Sequence, residues 1–394
     1  MSKSLNILTI NAIAQVGLDR FPAAGYNLGP KVTEPDGILV RSQNLHDMVI
    51  PASVKAIGRA GAGVNNIPVD KMSQRGMPVF NAPGANANAV KELVIAALLI
   101  SSRNIAPALA FVAGLSGDDK ALHKAVEDGK KAFSGTELPG RTLGIIGLGK
   151  IGSLVADAAI KLGMNVVGFD PHITIDAAWS LPSTVKKANS VEEVLKASDY
   201  VSIHVPLLDA TRHLINAPRL ALMKKSAILL NFARDGIVDD TAVVAALKAD
   251  QLRGYICDFP AAVLQGAPRV IATPHLGAST EEAEDNCAIM VADQVRDYLE
   301  NGNIRNAVNL PDVMMYRESP YRLCVVNANV PNMVGQISTA MAGAGLNIHN
   351  MLNKSRGEMA YTLLDVDSAI PAELINRLAA IEGVRSVRYL PQQG

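Results

Sequence analysis

The stretch TLGIIGLGKIGSLVADAAIKLGMNVVGFD, residues 142–170, decides the fold of this chain. Leu143–Ile146 is an apolar run of strand length, and Gly147-Leu148-Gly149-Lys150-Ile151-Gly152 is a Gly-rich turn. Ser153–Leu162 then has helical spacing, and Asn165–Phe169 is a second apolar run. A strand that enters GxGxxG and a helix that leaves it form the context a dinucleotide fingerprint requires. Gly147 permits the tight turn, Gly149 lets the backbone approach a pyrophosphate, and Gly152 lets helix and strand pack closely. The helix start adds free amides and a partial positive charge. Asp170 ends the second run, 18 residues after Gly152. Its carboxylate can accept from both ribose hydroxyls and would repel a 2′-phosphate, so NAD is expected rather than NADP. An ordinary glycine turn is the blander alternative, and it leaves Asp170 without a task.

Outward from this unit the same alternation continues. Tyr200–His204, Ala227–Asn231, Tyr255–Cys257 and Val270–Thr273 are apolar runs separated by helical stretches, which predicts an α/β fold with a doubly wound parallel sheet. Upstream, Leu5–Ile10, Ile38–Val40, Val54–Gly58 and Pro78–Phe80 belong to a second strand–turn–helix series, and Asn86 or Asn88 is placed to cap a helix from Ala89. A long helix at Thr280–Glu300 carries the chain back, and Pro311–Pro320 reads as a linker with no clear period. Arg322–Asn329, Met333–Ala344, Leu346–Asn353, Met359–Asp367, Ala372–Ile381 and Val384–Leu390 then give the order βαββαβ, a ferredoxin-like pattern.

Composition sets the limits. At about 150 residues per domain, 394 residues make two or three domains. A hydrophobic share of 49% against 19% charged excludes a disordered chain. Lys+Arg and Asp+Glu are both 37, so no basic excess drives nucleic-acid binding, and 4% aromatics offer little for base stacking. The longest apolar run, Leu93–Ile100, is too short for a bilayer. The three cysteines, Cys257, Cys287 and Cys324, form no CxxC pair, which argues against disulfides or structural zinc. With no signal-peptide layout at Met1–Ile10, a cytoplasmic protein without membrane partners is expected.

Two further clusters follow apolar runs. In Asn231-Phe232-Ala233-Arg234-Asp235-Gly236, Arg234 sits at a strand end, where open α/β sheets face their ligand crevice. A guanidinium there can grip a carboxylate with two hydrogen bonds; the alternative is a surface ion pair. In Thr273-Pro274-His275-Leu276-Gly277-Ala278-Ser279-Thr280, His275 is suited to proton transfer near neutrality. The other six histidines, His46, His123, His172, His204, His213 and His349, read singly as structural or solvated, with His204 at a strand end lining the cofactor cleft. No cluster has metal-ligand spacing.

Taken together, GLGKIG, Asp170, NFARDGIVD and TPHLGAST resemble the D-isomer-specific 2-hydroxyacid dehydrogenases. Val40-Arg41-Ser42, Ile57–Val64 and Asn81–Asn86 narrow the likeness to the branch that oxidises D-3-phosphoglycerate, the first step of serine synthesis. Residues 321–394 resemble that branch's ACT regulatory domain. The resemblance implies a flavodoxin-like substrate-binding domain over residues 1–90 plus 281–310, a Rossmann NAD domain over 91–280, and a linker at 311–320. It implies that Arg234 holds the substrate carboxylate and that His275 is the general base. Gly147, Gly149, Lys150, Ile151, Gly152, Asp170, His204, Val205, Pro206, Ala233, Asp258 and Ala278 would contact NAD. Arg41, Ser42 and Arg59 would meet a phosphate on the hydroxyacid substrate, Gly61, Ala62 and Gly63 would seat its carboxylate, and Asn86 would also contact it. Asn329 and Asn347 match positions for an amino-acid effector such as serine, although Asn327 stands where a histidine is often found. A homodimer or homotetramer is implied.

One departure touches the chemistry. The family places a glutamate beside its histidine about 28 to 29 residues after the arginine, where it stabilises the charged imidazole and fixes its tautomer. By the Phe259-Pro260 register that position is Ala262, and no Asp or Glu occurs between Asp258 and Glu281. Turnover with an acid-shifted pH optimum for reduction is the expectation, reversed by Ala262→Glu. Two other readings stand beside it: a hydroxypyruvate or glyoxylate reductase, and a catalytically weak NAD-sensing protein.

Overall fold

The computed structural model describes residues 4–392. These residues form three sheets in two compact units, one running up to Asn86 and resuming at Glu281, the other spanning Ala87–Thr280.

In the first unit, β1 (Leu5–Ile10), β2 (Tyr26–Gly29), β3 (Gly37–Val40), β4 (Ala56–Arg59) and β5 (Val79–Phe80) lie parallel in the order β2-β1-β3-β4-β5. That is the flavodoxin-like order. The strands are apolar without alternation because both faces are covered: Ile38, Leu39 and Val40 of β3 are all fully buried. The helix Glu281–Asn301 returns to cover one face, sinking Cys287, Val291, Val295 and Tyr298 into the core beside Leu39 and Phe80. β2 has no apolar run (Tyr26-Asn27-Leu28-Gly29) and pairs only as an edge, which is why pattern alone passes over it.

The second unit holds β6 (Thr142–Ile146), β7 (Asn165–Phe169), β8 (Lys186–Lys187), β9 (Tyr200–Ile203), β10 (Ile228–Asn231), β11 (Gly254–Cys257) and β12 (Val270–Ala272). All are parallel, in the order β12-β11-β10-β9-β6-β7-β8, so the doubly wound expectation holds. The strand order reverses between β6 and β9, and the carboxyl ends at that reversal are where such sheets take their ligands. The helix expected from Ala89 begins at Ala87. Asn88 lies inside it and donates to Glu92, and the Asn86 side-chain oxygen is buried without a partner, so neither acts as the expected cap. Among the described residues no single helix is long and apolar enough to cross a membrane.

The C-terminal part of the first unit is the βαββαβ module: β13 (Tyr321–Ala328), a helix Met333–Gly343, β14 (Ile348–Arg356), β15 (Met359–Val366), a helix Ala372–Ala379 and β16 (Val384–Pro391). Its sheet is antiparallel, ordered β14-β15-β13-β16. The structure carries β14 past the expected end at Asn353 to Arg356. One face packs Leu323, Val325, Leu364 and Val366 on the module's own helices. The opposite face sends Cys324, Val326, Tyr361 and Leu363 into the core that contains Tyr298 and Leu299.

A buried ion pair ties this module down. Arg322 and Asp365 are both fully buried, and the guanidinium donates twice to the carboxylate at 2.7 and 2.8 Å. Its remaining protons go to the carbonyls of Asn301, Met315 and Tyr316. Such a pair contributes little over an apolar filling, but removing one partner alone strands a buried charge. Arg388 caps the end of the long helix, donating to the Tyr298 and Leu299 carbonyls and lying 4.4 Å over the Tyr298 ring. The 311–320 stretch runs extended with Val313, Met315 and Ser319 buried, so it is a packed strip with period two and no free tether.

Candidate active site

The Gly-rich turn shows what each glycine does. Gly147 has φ +92°, and a Cβ there would lie 2.6 Å from the His204 carbonyl oxygen. At Gly152 a Cβ would lie 2.0 Å from the Gly147 carbonyl oxygen, so the helix Lys150–Lys161 approaches the turn only because the side chain is absent. Gly149 differs, since a Cβ there meets nothing within 4 Å. It is the N-cap residue of that helix, and no side chain caps it. Open space, an uncapped helix start and a local positive charge are what a pyrophosphate needs.

Asp170 closes the same cradle. One carboxylate oxygen accepts from the Leu148 amide and the other from the His172 amide, both at 2.9 Å. The carboxylate therefore faces the turn at the end of β7. A cleft of about 430 Å³ beside it is lined by Leu148, Asp170, Ile173, Ala178 and Leu181. Trp179, the only tryptophan, stands next to this lining and is 85% exposed. His204 is partly buried, with Nε2 2.9 Å from the Ser202 hydroxyl, and loss of solvent pushes its pKa from 6.5 down to about 4. It is therefore neutral near pH 7.

The other strand ends bring up Arg234, Asp258 and His275. Asn231, nearly fully buried at the end of β10, donates to the Arg234 carbonyl at 2.8 Å and accepts from the Ala233 amide at 3.2 Å. That brace sets the loop on which the half-buried Arg234 guanidinium donates to the Ala233 carbonyl at 2.7 Å. His275 has φ +57°, a conformation uncommon outside glycine. The constraint that keeps it there is Asp258, which is 1% exposed. Its carboxylate accepts from the Thr273 hydroxyl at 2.6 Å and from the Leu276 and Gly277 amides at 2.7 Å each. Neither His275 ring nitrogen has a partner among the described residues of this unit. The ring instead meets Phe259 edge-on, with centroids 5.0 Å apart. Ala262 is exposed in a short turn, Ala262–Leu264.

In the first unit, the carboxyl ends of β3 and β4 carry Arg41 and Arg59, and Val40 is in register with Arg59. Asn11, at φ +65°, accepts from the Ser42 and Gln43 amides and so shapes the Arg41 turn. Arg59 Nε donates to the Arg41 carbonyl at 3.0 Å. At Gly61 a Cβ would lie 2.1 Å from Arg59 Nη1, so this glycine makes room for the guanidinium. Asn81 donates to the Ala62 carbonyl at 2.6 Å, holding the Gly61–Gly63 backbone in place. Arg41 itself is paired with Glu284, in the first turn of the helix Glu281–Asn301. Sequence reasoning missed Glu284, which lies 243 positions from its partner and carries no signal beyond the acidic run Glu281-Glu282-Ala283-Glu284.

In the βαββαβ module, Asn329 donates its side-chain amide to the Gly357 carbonyl at 3.0 Å, across the hairpin turn. Asn347 is exposed and meets Asp367 through its backbone amide at 3.2 Å. Asn327 is buried with its side-chain oxygen unpartnered.

Known proteins resemble this chain in sequence and in fold. The family model for the NAD-binding domain of D-isomer-specific 2-hydroxyacid dehydrogenases matches residues 105–277. The chain belongs to the D-isomer-specific 2-hydroxyacid dehydrogenases and is an NAD-binding member of them. Among its relatives is D-3-phosphoglycerate dehydrogenase of Haemophilus influenzae, 33% identical over 97% of this chain and 93% of that one. The enzyme of the same name from Methanocaldococcus jannaschii is 36% identical over 85% of this chain, which spans only 62% of that longer protein. NAD+-bound 3-phosphoglycerate dehydrogenase of Entamoeba histolytica is similar in structure, with a TM-score of 0.62 and 27% identity, covering 78% of this chain and 99% of that one.

Proposed function

We propose that this dehydrogenase oxidises D-3-phosphoglycerate to 3-phosphohydroxypyruvate, the first step of serine synthesis, or runs the reverse reaction. The observation that carries the substrate is the pair of guanidiniums, Arg41 and Arg59, on adjacent strand ends of the first sheet. Two guanidiniums are suited to a phosphate, whose oxygens they can bridge bidentately. The H. influenzae and M. jannaschii relatives carry the same substrate in their names.

NAD, when bound, supplies the acceptor for the hydride that leaves C2 of the hydroxyacid. Gly147, Gly149 and Gly152 leave the space for its pyrophosphate, and Asp170 stands where the ribose hydroxyls would lie. Lys150, Ile151, His204, Val205, Pro206, Ala233 and Ala278 complete that surface in this reading. His275 takes the hydroxyl proton as the C2–O bond becomes a carbonyl, and returns it in reduction. Arg234 holds the substrate carboxylate and draws charge toward the C2 oxygen, while the Gly61–Gly63 amides and Asn86 receive the rest of the substrate. Asp258 acts on His275 through its loop.

The test is Arg59→Ala. Losing one phosphate contact of about 1.5–3 kcal/mol should raise KM for 3-phosphohydroxypyruvate by roughly tenfold or more, with a far smaller effect on hydroxypyruvate. Equal losses on both would favour a reductase of unphosphorylated acids. Ala262 supports a second reading, an NAD-sensing protein of weak activity, which tight NADH binding without turnover would support. We also infer a homo-oligomer, because the helix Ile105–Ala113 buries none of its residues and leaves Leu109 and Val112 more than half exposed. An effector such as serine would meet the exposed Asn347, whereas the Asn329 amide is already engaged.

A further inference from the structure

Arg41 does not face its anion alone. Its guanidinium is paired with the Glu284 carboxylate, and the two side chains are 36% and 38% exposed. An ion pair this open adds little to folding, so the fold does not explain it. Its position is more informative. Arg41 follows β3 directly and Arg59 ends the neighbouring β4, both at the carboxyl edge of the sheet. Glu284 comes from a different element, the first turn of the helix Glu281–Asn301, where Glu281 and Glu282 add further negative charge. A helix start favours carboxylates, so the first turn is a suitable place for the side chain that holds the arginine.

With the Glu284 carboxylate attached, the Arg41 guanidinium offers an incoming anion less positive charge than it would alone. A doubly charged phosphate must displace Glu284 from Arg41, or bind with a carboxylate close to its oxygens. We propose that Glu284 is a specificity-determining residue that gates the anion site, competing with phosphate for Arg41 so that phosphate groups bind only at concentrations that overcome the internal pair. This rests on the phosphorylated-substrate reading above. The gate makes no distinction between sources of phosphate. It weakens free inorganic phosphate and the phosphorylated substrate by the same factor, and the substrate regains affinity through its carboxylate, which inorganic phosphate lacks.

The experiment uses the full chain and three probes: 3-phosphohydroxypyruvate, hydroxypyruvate and inorganic phosphate as a competitive inhibitor, all read by NADH oxidation. Glu284→Gln removes the charge and keeps an acceptor near Arg41; Glu284→Ala removes both. In each variant the ratio of the hydroxypyruvate KM to the 3-phosphohydroxypyruvate KM should rise about three- to fivefold, the upper half of the range for exposed ion pairs. The inhibition constant of inorganic phosphate should fall by the same factor. If Glu284 merely positions Arg41, Glu284→Ala lowers the ratio and Glu284→Gln leaves it where it was, and the gate is overturned. Arg41→Ala separates this inference from the substrate reading. A ratio that collapses in Arg41→Ala but does not rise in Glu284→Gln sinks the gate alone. A ratio untouched by Arg41→Ala sinks the phosphate reading and the gate with it.

Discussion

Gly149→Ala should separate folding from cofactor binding more cleanly than any other single change. The residue has φ −72° and a Cβ built on it meets nothing within 4 Å, so alanine enters without strain or clash. Alanine is a poorer helix cap than glycine, while the stiffer unfolded chain offsets that loss. The net change in stability is expected within about 0.5 kcal/mol. The added methyl group occupies the space left for the pyrophosphate. Losing one charge-assisted bond from the helix start costs about 2–3 kcal/mol, or roughly 30- to 150-fold in NADH affinity. Gly152→Ala is the contrast, because its Cβ would meet the Gly147 carbonyl at 2.0 Å. Overpacking against rigid backbone costs about 1–3 kcal/mol, so that variant should melt several degrees lower. Binding can be followed by energy transfer from Trp179 to NADH, since the only tryptophan stands beside the Asp170 cleft. A Gly149→Ala protein that binds NADH as tightly as the parent would refute the placement of the cofactor.

Asp258→Asn puts an amide N–H against the Gly277 N–H and weakens the charged acceptor for Thr273 and Leu276. With His275 loosened, kcat should fall about 30- to 100-fold, and a kcat within twofold of the parent would count against Asp258 as the positioning residue. Arg322→Ala leaves Asp365 buried without its partner and should destabilise the first unit by about 3–5 kcal/mol in thermal or urea melts. Arg322→Met with Asp365→Leu should recover only part of this, since the Asn301, Met315 and Tyr316 carbonyls keep no donor. His204 titrates near 6.5 when unfolded and near 4 when folded, so the unfolded state takes up the proton first as pH falls. Stability is full above pH 6.5 and declines toward pH 4 by about 3 kcal/mol from this group, a loss that His204→Asn should remove; an identical acid limb in both proteins would contradict it.

Much of this was legible in the chain because the signals were local. The Gly147–Gly152 turn, Asp170, Arg234 and His275 each follow an apolar run, and strand ends are where a parallel sheet exposes polar groups. The βαββαβ order was legible for the same reason. What pattern could not show were the long-range commitments. Asp258 read as a cofactor contact, and pattern alone does not show that both its oxygens accept from a loop 15 to 19 positions later. Glu284 reaches Arg41 across 243 positions. Arg322, in a strand otherwise apolar, gives no hint of Asp365 until β13 and β15 pair. The 311–320 strip looked like a tether because its buried positions, Pro311, Val313, Met315 and Ser319, hold only two side chains, Val313 and Met315, of the kind that marks a strand.

The central claim is that this NAD-binding dehydrogenase works on a phosphorylated hydroxyacid. The direct measurement is NADH oxidation by the purified protein with 3-phosphohydroxypyruvate and with hydroxypyruvate, scanned across pH, with NADH binding followed in parallel through Trp179. Turnover of the phosphorylated acid at a KM at least tenfold below that of hydroxypyruvate is the predicted result. Tight NADH binding with no turnover of either acid at any pH would contradict it and bring the NAD-sensing reading forward.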